Sequence, residues 1–278
     1  MGCAPLVQSG DGAVTVVPRP SATMCVVYQA AAGIEVLMVR RSATTRFMPG
    51  AWVFPGGIVD AEDHDPAVAA IITNAEDPVL LPWLAAAFRE LAEETGIWLI
   101  DPPTISGADR SNVFRSAMGN GRVFPADRTA YFANWITPSM LPVRFDTRFF
   151  LAAVDGAMES YPDGDEVDAA EFVNVEEALR RSVTGEWQVP FPTQRTLGQI
   201  AAFDSVDAAI DGWRSRPVIS VQPRIRLDAD GSFEVVMPGD PGFDDLTDGP
   251  ADPDALRAAN RIARDGVGRP AEVLVDED

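Results

Sequence analysis

Three glutamates in one short run carry the strongest chemical signal in the chain. Residues 89–97 read Arg-Glu-Leu-Ala-Glu-Glu-Thr-Gly-Ile, and the three- and four-residue spacing of the apolar residues predicts a helix over Leu84–Glu94. Glu90, Glu93 and Glu94 then stand at positions i, i+3 and i+4 and share one helix face. Because carboxylate oxygens gathered in this way bind hard divalent cations, we expect a metal site on this face.

A glycine pair and a carboxylate precede the predicted helix. Phe54-Pro55-Gly56-Gly57 ends an apolar run, and Asp63 follows it. With the helix, these residues resemble the Nudix box, G-x5-E-x7-R-E-U-x-E-E-x-G-U, where U is a bulky apolar residue. Asp63 replaces the Glu of the pattern, and neighbouring Glu62 is an alternative for its role. The spacing to Arg89 is 25 residues instead of seven, which indicates an insertion of about 18 residues, roughly 64–81.

The resemblance to Nudix hydrolases implies an α+β fold, with a mixed β-sheet sandwiched between helices and a C-terminal extension of helices and strands. It also implies a divalent-metal-dependent hydrolase that cleaves a diphosphate linkage with Mg²⁺ or Mn²⁺. The metal ligands that it implies are Glu90, Glu93, Glu94, the Gly56 carbonyl and Asp63. The implied catalytic residues are Glu93 as the base, Glu166 on an acidic loop as the alternative base, and Arg89 as the residue that orients a carboxylate.

The segment before the glycine pair narrows the substrate. Leu37-Met38-Val39-Arg40-Arg41-Ser42, Arg46 and Gly50 lead to Phe54-Pro55-Gly56-Gly57. This resembles the motif of coenzyme A diphosphatases, L-L-T-x-R-[SA]-x3-R-x3-G-x3-F-P-G-G, with Met38 and Val39 replacing Leu and Thr. The substrate-binding residues implied are Arg41, Ser42, Arg46 and Gly50. Arginines suit this role because they bind phosphates in a bidentate manner.

The insertion inside the box is similar to that of the peroxisomal coenzyme A diphosphatase branch. We therefore expect hydrolysis of coenzyme A or acyl-coenzyme A to 3′,5′-ADP and 4′-phosphopantetheine or its acyl form. Two alternatives stay open. One is a Nudix pyrophosphatase that acts on ADP-ribose, dinucleotides or nucleotide sugars, and the other is a non-catalytic module that senses a nucleotide. Trp135 and Phe145 either stack on an adenine or belong to the core.

Composition restricts the partners and the compartment. Lys and Arg number 22 against 42 acidic residues, a formal net charge of −20, which disfavours binding to a nucleic-acid backbone. A small nucleotide-type substrate remains compatible because bound cations reverse the local field. With two cysteines, no apolar run of membrane-spanning length and no secretory or peroxisomal signal, we expect a cytoplasmic protein without membrane contact. A homodimer is one option for its assembly.

The chain divides into three predicted parts. Residues 1–21 are expected to be a flexible N-terminal segment, residues 22–184 the Nudix core, and residues 185–278 an extension with an acidic tail. The predicted strands of the core are Met24–Gln29, Ile34–Arg40, Ala51–Phe54, Ile97–Ile100, Ala130–Ile136, Thr147–Val154 and Glu171–Val175, followed by a short helix over Glu176–Arg181. The predicted elements of the extension are a helix or helix pair over Thr193–Trp213, strands over Val218–Val221 and Phe233–Met237, and a last helix from Asp252 to near Gly266.

Overall fold

A computed structural model describes residues 6–8, 14–45, 48–227 and 233–246 of the chain. Arg46 and the helix predicted from Asp252 to Gly266 lie outside these ranges, as does the acidic tail after residue 246. In the described ranges there is no helix long and apolar enough to cross a membrane.

Strands and helices follow one another in groups along the described part of the chain. The strands are β1 (Leu6–Gln8), β2 (Val14–Val16), β3 (Arg19–Ala30), β4 (Gly33–Arg41), β5 (Trp52–Val53), β6 (Gly56–Ile58), β7 (Ile72–Thr73), β8 (Phe124–Pro125), β9 (Thr129–Ile136), β10 (Phe145–Ala153), β11 (Val167–Asn174), β12 (Ser220–Val221), β13 (Arg224–Leu227) and β14 (Phe233–Val236). The α-helices are α1 (Pro66–Ile71), α2 (Leu81–Thr95), α3 (Val113–Gly119), α4 (Val175–Val183), α5 (Phe191–Ala201) and α6 (Val206–Arg214).

The central sheet is mixed. Its strand order is β11-β4-β3-β10-β9-β12, with β5 paired to β4 and β6 paired to β3. Strands β3 and β10 are parallel, as are β9 and β12, while the other pairs are antiparallel. The parallel pair places the start of β10 beside the start of β3, so Phe145 pairs with Arg19.

Two hydrophobic cores cover the two faces of the sheet. Because successive side chains of a strand point to opposite faces, Met24 and Val26 of β3 enter one core and Cys25 and Val27 the other. The first core is completed by α2 and α3, and the second by α4, α5 and α6. The result is a sheet sandwiched between helices, which confirms the predicted α+β fold.

Helix α2 confirms the central sequence prediction. It extends three residues before Leu84 and ends at Gly96, which has a φ of +69° and caps the helix through its N–H to the Ala92 carbonyl. Its apolar face packs on the sheet through Leu84, Phe88 and Leu91, all buried. This packing fixes the rotation of the helix and therefore the direction of its glutamates.

The insertion within the box is folded. Helix α1 begins after Asp65, whose carboxylate accepts a hydrogen bond from the Ala67 N–H, and β7 pairs with β8 from a distant part of the chain. A 3₁₀ turn over Pro78–Leu80 then leads directly into α2. The insertion therefore packs beside the start of the helix.

Some boundaries and one strand differ from the prediction. Ile97–Ile100 forms no strand; Ile97 and Ile100 are buried in the core under α2, so this apolar run reflects packing and not sheet pairing. Strand β3 begins at Arg19, inside the predicted N-terminal segment 1–21. Beyond residue 184, α5 and α6 pack on the sheet and β12 pairs with β9, so the predicted extension shares the core of the preceding residues.

Candidate active site

Arg89 lies at the centre of the acidic face of α2. Its Nη1 donates to Glu90 Oε1 at 2.8 Å and to Glu93 Oε2 at 2.9 Å, while its Nη2 donates to the Ile58 carbonyl at 2.9 Å. The Arg89 side chain is 5% exposed. One buried guanidinium thus links two of the predicted metal ligands to the segment that follows Gly56-Gly57.

The carboxylate of Asp63 forms an ion pair with the same arginine. Arg89 Nε donates to Asp63 Oδ1 at 3.1 Å and Nη2 to Oδ2 at 2.9 Å, and the Asp60 N–H also donates to Oδ2. Asp63 is 2% exposed, whereas Glu62 is exposed with its carboxylate 4.0 Å from Arg89 Nε. The Asp63 carboxylate therefore serves as a counter-ion that holds Arg89, and its role as a metal ligand stays a prediction.

Glu94 is buried on the other side of this face. Its Oε2 accepts a hydrogen bond from the Gly56 N–H at 3.1 Å. Burial raises the pKa of Glu94 well above its usual range, and the charges of Glu90 and Glu166 add to the shift, against the hydrogen bond from Gly56. Glu94 therefore joins α2 to the glycine pair.

The pKa values of the other two glutamates are raised as well. Burial brings the pKa of Glu90 to about 7 despite the opposing charge and hydrogen bond of Arg89. For Glu93, burial again raises the pKa, and Arg89 opposes the shift. Burial alone would lower the pKa of Arg89, but its bond to Asp63 and the surrounding carboxylates raise it overall, so Arg89 stays charged. Burial is thus the main cause of the raised pKa values of the glutamates on this face.

Gly57 allows β6, the glycine strand that contains Gly56 and Gly57, to approach α2 closely. A Cβ atom at this position would overlap the carboxylate of Glu90. Only glycine leaves this carboxylate its observed position, which explains the second glycine of the pair.

The acidic loop that contains Glu166 is joined to the end of α2 by hydrogen bonds. The Tyr161 N–H donates to the Thr95 carbonyl at 2.7 Å, and the Asp163 N–H donates to the Glu94 carbonyl at 3.1 Å. Asp163 Oδ1 then accepts hydrogen bonds from the backbone N–H groups of residues 165, 166 and 167, at 2.9, 3.0 and 3.0 Å. No role of Asp163 was predicted from the sequence, although Asp163-Gly164 is a recognisable turn signal.

A cleft of about 1180 Å³ opens over these groups. The residues that line it include Gly56, Gly57, Arg89, Glu90, Glu93 and Glu166. They also include the apolar residues Leu141, Val189, Phe191, Ile225, Phe233 and Val235. No sequence pattern indicated these apolar residues, because they come from segments that are far apart in the chain.

The predicted substrate residues take different positions. Arg41 lines the cleft, and its charge lowers the pKa of Glu94. Ser42 is buried and donates its backbone N–H to the Glu166 carbonyl at 2.8 Å, and Gly50 has a φ of +76° and donates its N–H to the Arg41 carbonyl at 3.0 Å. Within the described residues, therefore, Arg41 borders the cleft, while Ser42 and Gly50 shape the loop beside it. Arg46 lies outside the described residues.

Trp135 and Phe145 both border the cleft. Trp135 is 6% exposed and packs edge-to-face on Phe191, with ring centroids 6.0 Å apart. The side chain thus belongs to the core and also forms part of the cleft wall. His64, in the insertion, is exposed.

Comparisons with known proteins identify the family. No family model matches the chain. The crystal structure of a NUDIX hydrolase from Alicyclobacillus acidocaldarius is 30% identical and superposes with a TM-score of 0.63, over 72% of this chain and 99% of that chain. The chain belongs to the Nudix hydrolases. It is accordingly a pyrophosphohydrolase with the fold of that family.

Two curated Nudix relatives are more distant. The human acyl-coenzyme A diphosphatase NUDT19 is 25% identical, over 76% of this chain and 72% of the human protein. A Caenorhabditis elegans protein named as nudix hydrolase 7 is 25% identical over 74% of this chain and 68% of that protein. Nudix enzymes generally use divalent metal ions such as Mg²⁺ or Mn²⁺ and act on small nucleotide-type substrates.

The acidic face of this Nudix chain fits such a metal. Glu90, Glu93 and Glu94 offer only carboxylate oxygens, the ligands that hard cations prefer. Burial, with a smaller contribution from neighbouring carboxylates, raises their pKa values, and a bound cation would favour their charged forms. In the described residues, no three acidic, histidine or cysteine side chains form a ready-made metal cluster. The reason is visible at Arg89, which holds Glu90 and Glu93, and at Gly56, which holds Glu94.

Proposed function

We propose that the chain hydrolyses the diphosphate of coenzyme A or acyl-coenzyme A, giving 3′,5′-ADP and 4′-phosphopantetheine or its acyl form. The observation that carries the proposal is the position of Arg41 in the same cleft as Glu90 and Glu93. Arg41 belongs to the motif that resembles coenzyme A diphosphatases, and its guanidinium suits a phosphate of the substrate. The name of the human relative, acyl-coenzyme A diphosphatase, supports the same substrate class.

Within this proposal, Glu90, Glu93 and Glu94 hold Mg²⁺ or Mn²⁺, together with the Gly56 carbonyl. The bound ions supply polarisation of the diphosphate and stabilisation of the leaving oxygen. Arg89 acts as a positioning residue: its bonds to Asp63 leave one nitrogen to orient Glu90 and Glu93. The ion pair with Asp63 thus keeps the acidic face in register with the glycine strand.

A carboxylate must also accept a proton. When the oxygen of the attacking water bonds to phosphorus, the bridging P–O bond breaks and the water loses a proton to a base. We assign this base to Glu93, which is half-buried and lines the cleft beside Glu90. Glu166, which is exposed and lines the same cleft, is the alternative base.

The test is a substrate panel with Mg²⁺ and Mn²⁺, in which the products are identified by mass. Coenzyme A, an acyl-coenzyme A, ADP-ribose, a dinucleotide and a nucleotide sugar are compared by kcat/KM. We expect coenzyme A compounds to give the highest values. Turnover of ADP-ribose with coenzyme A untouched would replace this proposal by the general pyrophosphatase alternative.

A matched variant separates catalysis from binding. Glu94→Gln is expected to abolish metal-dependent turnover while the protein stays folded, because a neutral amide is a poorer ligand for a hard cation. A wild-type protein that is inert across the panel yet binds a nucleotide would favour the non-catalytic sensing module.

The cytoplasmic location and the homodimer remain predictions from the sequence.

A further inference from the structure

The hairpin formed by β13 and β14 has one wholly apolar face. In its register Ile225 pairs with Val235 and Leu227 with Phe233, and all four side chains share one side. The opposite side carries the pairs Arg224–Val236 and Arg226–Glu234, with an ion pair in the second. The hairpin therefore has an apolar face and a largely charged face.

The apolar face borders the cleft. Ile225, Phe233 and Val235 are all cleft-lining residues. Val221 and Met237, just before and just after the hairpin, pack against the core that contains α5 and α6. In the described structure, the three cleft-lining residues belong to neither core, although Ile225 is only 8% exposed. Packing in the two hydrophobic cores thus does not account for the apolar side chains on this face of the hairpin.

The apolar surface continues on neighbouring segments. Leu141 precedes β10, Val189 precedes α5 and Phe191 is the first residue of α5, and all three line the same cleft. One cleft is thus lined both by carboxylates of α2 and by apolar side chains from several segments of the chain. Its volume of about 1180 Å³ exceeds the roughly 300–1,000 Å³ typical of small-ligand sites. A ligand longer than a nucleotide fits such a cleft.

We propose that the hairpin face is the subsite for a fatty acyl chain carried on the thiol end of the substrate. This inference rests on the proposed function, since the acyl chain is joined by a thioester to the pantetheine arm of the substrate, and that arm is attached to the diphosphate. The side chains of Ile225, Leu227, Phe233 and Val235 have no hydrogen-bonding groups with which to recognise an adenine or a phosphate. They suit methylene groups, each of which gains about fourfold in binding when it is buried.

The first test is a chain-length series. Free coenzyme A and its acetyl, octanoyl and palmitoyl thioesters are hydrolysed by the wild-type enzyme with Mg²⁺, and kcat and KM are measured with products identified by mass. We expect KM to fall at least about tenfold from the acetyl to the octanoyl thioester, while kcat changes by less than about threefold. The reason is that the acyl chain contributes to the binding of the substrate and not to the reaction at the diphosphate.

Variants on the two faces of β14 localise the effect. Phe233→Ala is expected to raise KM for octanoyl-coenzyme A about tenfold and to leave KM for free coenzyme A within about twofold. Val235→Trp fills the subsite and is expected to raise KM for long acyl chains selectively. Glu234→Ala, on the opposite face of the same strand, is the matched control and is expected to behave as wild type in the series. Thermal unfolding checks that each variant is folded.

The outcomes distinguish this inference from the proposed function. Hydrolysis of coenzyme A with no dependence on chain length refutes the acyl subsite and leaves the proposed function standing. An equal rise of KM for free and acylated coenzyme A in Phe233→Ala also refutes the subsite, since it indicates a general role of the hairpin. Failure to hydrolyse any coenzyme A compound refutes both.

Discussion

Asp63 and Arg89 form a buried, bidentate ion pair across 26 residues of sequence, with distances of 3.1 Å from Nε to Oδ1 and 2.9 Å from Nη2 to Oδ2. The pair links the segment after the glycine strand to the helix that carries the glutamates. Through its remaining nitrogen, Arg89 holds Glu90 and Glu93. The acidic residue before the insertion therefore supports the site indirectly.

Asp63→Asn is expected to destabilise the protein by about 3 kcal/mol, because removal of one partner leaves a buried charge without its main counter-ion. Glu90 and Glu93 still contact Arg89, which keeps the loss near the lower end of the usual range. Urea unfolding measures the change, and kcat is expected to fall with it. Glu62→Gln is the control: its exposed carboxylate lies 4.0 Å from Arg89, and its loss should change stability by less than about 1 kcal/mol. Equal effects of the two substitutions would contradict the assigned role of Asp63.

The stability of the metal-free protein is expected to fall as the pH rises from about 4.5 to 7. The folded state holds a proton on Glu90 up to a pKa of about 7, whereas an ordinary glutamate loses it near 4.5. Within this window the folded state binds more protons than the unfolded state, so stability decreases with pH. A pKa raised by this amount corresponds to a decrease in the free energy of unfolding on the order of 3 kcal/mol. The raised pKa of Glu94 acts in the same direction.

Thermal unfolding at pH 5.5 and 7.5, with EDTA or with Mg²⁺, measures this dependence. Mg²⁺ should raise the Tm more at pH 7.5 than at pH 5.5, since metal ligands must be deprotonated. Glu90→Gln is expected to reduce the decrease in the Tm of the metal-free protein between pH 5.5 and 7.5. A metal-free protein that gains stability between pH 5.5 and 7.5 would count against the raised pKa of Glu90.

Gly57→Ala is expected to lower kcat about a hundredfold with little loss of stability. The added methyl group displaces the Glu90 carboxylate, which is the movable end of its side chain, and a shift of about 1 Å in a catalytic group can cost this much. Steady-state kinetics with saturating metal measure the effect. Gly156→Ala is the matched control, because a Cβ there meets open space. Retention of full activity in Gly57→Ala would show that Glu90 tolerates the displacement.

Asp163→Ala tests Glu166 as the alternative base: a fall in kcat of at least about tenfold would assign the proton transfer to Glu166, because three backbone hydrogen bonds that hold its loop are lost. Asp163→Asn keeps an acceptor oxygen and should restore most of the activity. Asp165→Ala, in the same exposed loop, serves as the control. An effect of Glu93→Gln on kcat, without any effect of Asp163→Ala or Glu166→Gln, would assign the base to Glu93 alone.

Local features of the site were predictable because they depend on neighbours in sequence. The spacing of Glu90, Glu93 and Glu94 sets their common face through helix geometry, and Gly96 ends the helix where the sequence indicates. Strands β9 and β10 were predicted within two residues of their observed bounds. Apolar content alone was insufficient at Ile97–Ile100, where buried residues pack without a partner strand.

The sequence by itself determined the family, the α+β class and the acidic face of α2, since each follows from motif or periodicity. Only the tertiary structure decided that Asp63 binds Arg89, that Asp163 ties the Glu166 loop to α2, and that the apolar face of β13 and β14 borders the cleft. These relationships join segments far apart in the chain. They depend on how the sheet and helices pack, which no local pattern of residues encodes.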